Sequence, residues 1–285
     1  MNPDHPSALP DLGSGAQTLE PWVQIDLDTG QRQGTVLLDS GFLHAIAEWR
    51  RAGVLQRFFF VHKPPGVRLR FLGASPDLSG LLRQWFNVAL PGSWRFGCYE
   101  PERYQFGGTV GLDITHEFFT VESIAVLAYR DCLQRGRARI GPYEFSILLL
   151  DRCFREVVSD DWELWDLWCH HCLTGRLCQQ DLQLDAQDLA GLRDLRAEVL
   201  PLLRVPGVRA GKFSTAEERL WSDYESSVDT PAARMRCAAA NGELLWGARQ
   251  ILPFWAVFHW NRMAFDFAQQ RGLARLMVRV LHPKW

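Results

Sequence analysis

Apolar and polar residues alternate in several short runs within the first hundred residues, which is the pattern of half-buried strands. Trp22–Asp28 is the first such run. Leu55–His62 and Val67–Phe71 flank a Lys-Pro-Pro-Gly turn, so these two runs predict a β-hairpin. Trp94–Phe106 is expected to be a further extended stretch that closes at Gly107–Gly108.

Elsewhere the apolar residues recur three and four positions apart, which is the spacing of a helix with one buried face. Two such helices are predicted among the strands, at Val36–Ala52 and Asp77–Ala89. The later predicted helices are Ile114–Leu133, Pro142–Val157, Asp161–Leu173, Asp188–Leu203, Ala216–Tyr224 and Gly242–Val280. Because the strands precede most helices, the predicted class is α+β, with a mainly antiparallel sheet and flanking helices in the N-terminal half and a mostly helical C-terminal half.

The N-terminal residues differ from the rest of the chain. Residues 1–20 contain prolines and glycines but neither a basic start nor an apolar centre, so they lack the features of a secretory signal. We expect a disordered tail there, followed by one domain over residues 21–285. In this domain, a groove between the two halves is expected to receive a peptide. No apolar run reaches the roughly 18 residues that a membrane span requires, and no membrane partner is expected.

Composition narrows the range of partners. The 285 residues include 31 Lys and Arg against 33 Asp and Glu, which gives a formal net charge of −2. Binding to a phosphate backbone requires an excess of positive charge, so we expect no direct nucleic-acid partner. Twelve tryptophans are suited to a core or to a peptide groove. Seven cysteines in a chain without a secretory signal favour reduced thiols and a cytoplasmic location.

Two arginines stand out on the predicted hairpin. Arg68 and Arg70 lie two positions apart, so both side chains point to the same face of a strand. They are either a solvated surface pair or a fork that holds a carboxylate or a developing oxyanion. Arginine suits the second role because its donors form a rigid plane.

The segment Tyr99–Gly108 concentrates reactive side chains. It contains Glu100, Glu102, Arg103, two ring hydroxyls and a glycine pair within ten residues. One interpretation is a strand end with surface salt bridges, which contribute little to stability. The density of the segment favours the other interpretation, a functional site in which the glycines permit close approach of the backbone.

A cysteine-rich segment raises the question of a metal. Cys169 and Cys172 flank two histidines, and Cys178 follows. Structural zinc sites usually combine two separated ligand pairs, and no second pair is present in the sequence. We therefore expect buried thiols, no metal and no cofactor.

The R-x-R strand Val67–Phe71, the Y-x-P-E segment with its glycine pair at Tyr99–Gly108, and the late His259–Arg262 together resemble a known family. It is the C-terminal elimination domain of lantibiotic dehydratases, which also occurs as stand-alone thiopeptide-type bacteriocin biosynthesis proteins. The resemblance covers residues 22–281. It implies that the chain acts on the leader and core of a ribosomal precursor peptide and eliminates glutamate from glutamylated Ser or Thr, leaving dehydroalanine or dehydrobutyrine. A separate glutamyl-tRNA-dependent protein would supply the glutamylated substrate.

The resemblance also implies roles for individual residues. Arg68, Arg70 and Arg103 would be cationic donors around the glutamyl carboxylates and the oxyanion, and His259 would transfer the proton. The residues expected to orient this cluster, anchor the terminal helix or bind substrate are Tyr99, Glu102, Gln105, Asn261 and Arg262.

Two positions depart from the family pattern. Gln105 stands where the family commonly has Arg, and Val257 stands where it has a functional His. Arg103, two residues before Gln105, would face the same side on an extended strand. These departures leave two alternatives open: a formal four-plus-two cycloaddition that joins two dehydroalanines into a pyridine core, and a precursor-binding partner without catalysis.

Overall fold

The structure is a computed structural model that describes residues 22–28, 40–63, 66–73, 77–158, 160–170, 174–182 and 196–283. The expected tail over residues 1–20 lies outside the described residues, as do residues 188–195 of the helix predicted over Asp188–Leu203. The predicted α+β class is confirmed, because a four-stranded antiparallel sheet forms in the N-terminal region and helices form the C-terminal half.

The sheet contains four strands in the spatial order β2-β3-β1-β4. Their ranges are β1 Trp22–Asp28, β2 Leu55–Lys63, β3 Gly66–Gly73 and β4 Trp94–Gly97. All neighbouring pairs are antiparallel, so the predicted hairpin of β2 and β3 is confirmed. β1 lies between β3 and β4 and therefore joins the hairpin to the segment that follows it.

One face of the sheet is apolar and packs against two helices, α1 (Ser40–Arg51) and α2 (Leu78–Ala89). Phe58 of β2 contacts Phe42 of α1, with ring centroids 5.5 Å apart. Phe71 of β3 contacts Phe86 of α2 at 6.3 Å. All four rings are fully buried, so the aromatic contacts form the core of the N-terminal half.

The other face of the sheet carries polar side chains. The β1–β3 register places Gln24 opposite Arg70 and Asp26 opposite Arg68. Directly opposed residues on antiparallel strands share a face, and positions two apart on one strand do as well. The strand period therefore brings four polar side chains together on one side of the sheet.

Helix α3 (Gly108–Gln134) runs along β2 at the edge of the sheet. The backbone N–H of Phe58 donates to Thr120 Oγ1 at 3.2 Å, and that of Phe60 donates to Ser123 Oγ at 3.4 Å. β2 is an edge strand of the described sheet, so no neighbouring strand on this side can bond to its backbone. The two hydroxyls of α3 accept these hydrogen bonds instead, and the helix covers the edge of the sheet.

The remaining helices form the C-terminal half. They are α4 Pro142–Val157, α5 Asp161–Cys169, α6 at residues 196–204, α7 Pro206–Lys212, α8 Thr215–Ala240, α9 Ala248–Arg262 and α10 Phe267–Val280. Helix α8 packs against both α3 and α4, and α9 packs against α3, α4, α5 and β2. No helix in the described ranges is both long enough and apolar enough to cross a membrane.

The prediction of one extended stretch over Trp94–Phe106 was wrong beyond Gly97. β4 ends there, and the chain turns before α3 begins, with Gly108 N donating to Arg103 O at 2.9 Å. Pro101 has no N–H to continue a ladder of hydrogen bonds. Gly107 adopts a φ of 79°, a left-handed conformation that favours glycine.

The prediction of a single helix over Gly242–Val280 was also wrong. The chain forms α9 and α10 with a break between them, where Ala264 has a φ of 61°. Asp266 caps α10 by accepting from Gln269 N at 2.8 Å, and the Gln269 side chain accepts from Asp266 N. This reciprocal pair is a capping box, and the sequence Asp-x-x-Gln is its signature.

The close packing of Gly111 of α3 against the preceding turn can be tested by substitution. A Cβ on Gly111 would lie 1.9 Å from the carbonyl oxygen of Phe106, whereas one on Gly272 in α10 would meet nothing within 4 Å. We predict that Gly111→Ala destabilises the protein by about 2–3 kcal/mol, because backbone atoms must move. Gly272→Ala should stabilise it by about 0.5–1 kcal/mol, because alanine favours a helix. Urea unfolding measures both, and equal midpoints for the two variants would contradict the packing described.

Candidate functional site

Arg70 is the central residue of the polar face. It is 5% exposed, and its Nε donates to Gln24 Oε1 at 3.0 Å. Its guanidinium lies 4.2 Å from the ring centroid of Tyr99. Burial lowers the pKa of Arg70, while Tyr99 and Glu102 act in the opposite direction. Its Nη1 is buried and has no hydrogen-bond partner, so this nitrogen of the guanidinium is available to donate to a ligand.

The segment after β4 brings Tyr99 and Glu102 to Arg70. The Tyr99 ring packs edge-on against Trp22 of β1 at 5.6 Å and Phe59 of β2 at 5.8 Å. Glu102 interacts electrostatically with Arg70, and its buried Oε2 has no hydrogen-bond partner. The structure therefore brings together three of the predicted site residues, and two of them carry unpartnered polar atoms of opposite charge.

His116 completes this cluster, and the sequence analysis missed it. Its Nε2 lies 2.7 Å from the Tyr99 hydroxyl, and the residue is 3% exposed. Burial lowers the pKa of His116 to about 3, and Arg57 acts in the same direction. A histidine within a continuous helical pattern gives no signal in the sequence. Only its contact with Tyr99 distinguishes it from any other packed histidine.

Arg68 faces an open pocket at one end of the sheet. The pocket has a volume of about 210 Å³, and its charged lining consists of three cations, Arg68, Arg95 and Lys63, and two carboxylates, Asp26 and Asp28. Asp26 accepts from Gln24 at 2.8 Å and lies 3.7 Å from Arg95. Among the described residues, Arg68 forms no ion pair. Its charge is therefore available to an anion that enters the pocket.

A second pocket of about 360 Å³ lies between the sheet-bearing half and the helical half. Arg57 of β2, Glu117 of α3 and Asp223 of α8 contribute to its lining. This pocket corresponds in position to the groove that the sequence analysis expects between the halves. Whether a peptide occupies it stays a prediction.

His259 lies away from the Arg70 cluster and is fully buried on α9. Its Nδ1 contacts the carboxylate of Glu122, and its Nε2 lies 2.8 Å from Ser146 Oγ. Arg262 is also fully buried, and its Nε donates to Glu122 Oε2 at 2.9 Å. Both ring nitrogens of His259 are thus engaged in the core, and the geometry does not support proton transfer to a substrate by this residue.

The other predicted site residues take separate positions. Arg103 is exposed on the turn before α3, so the extended strand that would have turned it to the same side as Gln105 is absent. Gln105 is half-buried in the same turn. Asn261 Oδ1 accepts from Gln270 Nε2 at 3.1 Å and thereby connects α9 to α10. Val257, where the family commonly has His, is buried on α9.

The cysteine-rich segment is only partly described. His171 and Cys172 lie outside the described residues. Within the ranges that the structure describes, no group of three or more histidine, cysteine or acidic residues is arranged to hold a metal. Cys178 Sγ instead donates to Asp181 Oδ2 at 3.1 Å.

The sequence matches the family described as the C-terminal part of lantibiotic biosynthesis dehydratases, over residues 22–281. The chain belongs to this family. The resemblance carried by the arginine strand and the Tyr99–Gly108 segment is therefore confirmed. The match covers both the sheet and the helical half, which form one continuous hydrophobic core.

Two solved structures have a fold similar to that of this chain. One is the tRNA-dependent lantibiotic dehydratase MibB from Microbispora sp. 107891, with a TM-score of 0.66, 16% identity and coverage of 96% of this chain. The chain spans only 28% of the length of MibB. Another is TsrL, with a TM-score of 0.53 and 14% identity, covering 91% of this chain and 93% of TsrL. No curated protein sequence matches the chain.

The buried cluster around Glu122 generates a stability prediction. Burial raises the pKa of Glu122, but Arg262 and His259 outweigh this effect and hold the pKa below its ordinary value of 4.5. We predict that Glu122→Gln destabilises the protein by about 3–5 kcal/mol at pH 7, because it leaves Arg262 buried without a counter-charge. Urea unfolding measures the loss.

A matched control is Glu48→Gln on the exposed surface of α1, where the Arg51 pair contributes little and the midpoint should not move. Because the Glu122 pKa is depressed, its contribution is present above pH 4.5 and is lost as the pH falls through the lowered value. The difference between wild type and Glu122→Gln should therefore shrink in acid. A constant difference down to pH 2 would contradict the assignment.

Proposed function

We propose that the chain eliminates glutamate from glutamylated Ser or Thr residues of a ribosomal precursor peptide, and that the site is the cluster of Arg70, Glu102 and Arg68. The observation that carries this proposal is the pair of buried, unpartnered atoms, Arg70 Nη1 and Glu102 Oε2. Buried polar atoms normally have partners. Asp151 Oδ1 and Arg155 Nη2 also lack partners, but these two groups bond to each other through their remaining atoms. Arg70 and Glu102 form no such ion pair with each other, which leaves both charges for a ligand. Membership of the lantibiotic dehydratase C-terminal family supports the class of substrate.

The side chains of the proposed site supply the groups that an elimination requires. Glu102 Oε2 takes the α-proton of the esterified residue, and the C–H electron pair forms the Cα=Cβ double bond. The Cβ–O bond breaks, and glutamate leaves as a carboxylate that requires no proton. Arg70 Nη1 donates to the neighbouring carbonyl oxygen, on which negative charge develops.

Arg68 has a separate role in this proposal. It faces the open pocket of about 210 Å³ and forms no ion pair among the described residues, although Asp26 and Asp28 line the same pocket. A guanidinium recognises a carboxylate through planar paired donors. We assign to this pocket the free carboxylate of the departing glutamate, with Lys63 at the rim as an additional cation.

The source of the glutamylated substrate is a further part of the proposal. MibB is described as tRNA-dependent, and this chain corresponds to 28% of it. A separate glutamyl-tRNA-dependent protein would attach the glutamate, and the chain would then receive the peptide without contacting the tRNA. The near-zero net charge of the chain agrees with that division of labour. Both proteins would act in the cytoplasm.

The proposal predicts the effect of two conservative substitutions. Arg70→Lys should lower kcat for release of glutamate from a glutamylated peptide by about 10²-fold or more, because a lysine ammonium cannot keep the bond to Gln24 and also place a donor at the Nη1 position. Glu102→Gln should lower it by a similar factor, because the amide cannot take a proton. Mass spectrometry of the dehydrated product and single-turnover kinetics measure both variants.

Arg135→Lys provides the matched control, since Arg135 pairs with Asp131 on the exposed end of α3 and should retain full activity. Arg103→Ala is a second useful variant. Full activity in Arg103→Ala would exclude the cationic role that the sequence analysis gives this residue. Full activity in Arg70→Lys and Glu102→Gln would overturn the proposed site.

A four-plus-two cycloaddition is the second proposed function. It is favoured by Val257 and by the sealed position of His259, which leave the family's histidine role unfilled on α9. A peptide that already carries two dehydroalanines distinguishes the reactions. Elimination predicts no change in that peptide and release of glutamate from the glutamylated one, whereas cycloaddition predicts a pyridine product. Tight binding of the precursor without either product would favour a partner without catalysis.

A further inference from the structure

Tyr99 and His116 form a pair at the edge of the proposed site. The Tyr99 hydroxyl lies 2.7 Å from His116 Nε2, and the guanidinium of Arg70 lies 4.2 Å from the centre of the Tyr99 ring. The two residues come from different elements, the segment after β4 and helix α3. Their contact is therefore a tertiary one that joins α3 to the site.

The packing around His116 fixes the direction of its ring. Phe59 stacks on the imidazole at 5.5 Å with an interplanar angle of 25°, and Trp22 contacts it at 4.5 Å. The turn of α3 beneath it is held by Thr120 Oγ1, which donates to the His116 carbonyl at 2.8 Å. A ring packed on two sides keeps its Nε2 directed at the Tyr99 oxygen.

Burial keeps both members of the pair neutral. It lowers the pKa of His116 to about 3 and raises the pKa of Tyr99, with Arg70 acting against the second shift. With its pKa lowered this far the imidazole is a poor base, and with its pKa raised the phenol is a poor acid. They are effective as uncharged hydrogen-bond donors in a site that excludes water.

The direction of the shared hydrogen bond decides what Tyr99 can do. If His116 accepts the hydroxyl proton, Tyr99 has no donor left for a ligand. If His116 Nε2–H donates to the Tyr99 oxygen, the hydroxyl proton is free to point away from His116. Such a free donor would need a partner, as Arg70 Nη1 does in the same cluster.

We propose that Tyr99 is a second catalytic hydrogen-bond donor to the substrate carbonyl oxygen, and that His116 is the positioning residue that directs the Tyr99 hydroxyl by donating from Nε2. This inference rests on the proposed elimination function. It gives the site two donors, one cationic from β3 and one neutral from the Tyr99 segment. No covalent step involves either residue.

The first experiment measures the tautomer of His116 in the wild-type protein. Nitrogen-15 NMR of histidine-labelled protein at neutral pH distinguishes a protonated from an unprotonated Nε2, and loss of one signal in His116→Gln identifies the resonance. We expect a proton on Nε2 and none on Nδ1. An unprotonated Nε2 would overturn the proposal, because Tyr99 would then donate to His116 and not to a substrate.

The second experiment measures the rate of glutamate release from a glutamylated peptide. Tyr99→Phe should lower kcat by about 10²-fold with KM little changed, as expected when a donor that acts in the transition state is removed. His116→Gln keeps an N–H at the Nε2 position and should stay within about threefold of wild type, whereas His116→Leu should lose about tenfold or more. A purely structural His116 would not give this rescue by glutamine, and near-UV circular dichroism confirms that each variant is folded.

The outcomes separate the two proposals. An active wild type together with a fully active Tyr99→Phe would overturn the donor role and leave the elimination function intact. The other outcome is that the wild-type protein binds the glutamylated peptide, with the same affinity as Arg70→Lys, but releases no glutamate. This outcome would overturn the elimination function and the donor role with it. Equal losses in His116→Gln and His116→Leu would overturn the positioning role of His116.

Discussion

The arrangement of the helical half depends on the contacts that the buried carboxylate of Glu122 makes with Arg262 and His259. A charge at this depth is costly unless its partners replace the lost water, and Glu122 receives Arg262 through two guanidinium nitrogens as well as His259. Both partners lie on α9, while Glu122 lies on α3. A shift of either helix along its axis would leave buried charges unpaired, so the cluster fixes how α3 and α9 pack.

The position of α3 determines most of what is described for the site. The hydroxyls of Thr120 and Ser123 follow the edge of β2, and His116 meets Tyr99. On another side of the helix, Asp113 binds Arg57 of β2 and Arg234 of α8. One helix thus connects the sheet, the candidate site and the helical half. Its fixed register places the imidazole of His116 within hydrogen-bond distance of the Tyr99 hydroxyl.

Two polar clusters lie on the two sides of an aromatic layer. Phe59 contacts Arg70 on one side, and Phe119 contacts Arg262 on the other, with the two rings 5.3 Å apart. Phe258 stacks on Phe119 and adds a third ring to the layer. A buried guanidinium nitrogen lacks a partner in each cluster, Arg262 Nη1 in one and Arg70 Nη1 in the other. The carboxylate of Glu122 is bonded to Arg262 and His259, whereas Glu102 Oε2 in the Arg70 cluster has no partner. The Glu122 cluster therefore stabilises the packing of α3 against α9, and the Arg70 cluster is the proposed site of the chemistry.

The sequence by itself determined those features that depend on local periodicity. Strand alternation gave β1 and the hairpin, and it placed Arg68 and Arg70 on one face, because side-chain direction along a strand repeats every two residues. The motif around Tyr99 identified the family. Local turn chemistry is also present in the sequence, because the Asp-x-x-Gln capping box at Asp266 marks the break that divides the single helix predicted over Gly242–Val280.

The tertiary structure alone decided which of the motif residues meet. His259 contacts Glu122, 137 positions away, and is sealed in the core, while Arg103 is turned to solvent and His116 reaches Tyr99 from another element. Such contacts depend on helix packing and on the cost of leaving buried charges unpaired. Neither is encoded in the spacing of neighbouring residues, and so the pattern could identify the segment that contributes to the candidate site but not the side chains that it meets there.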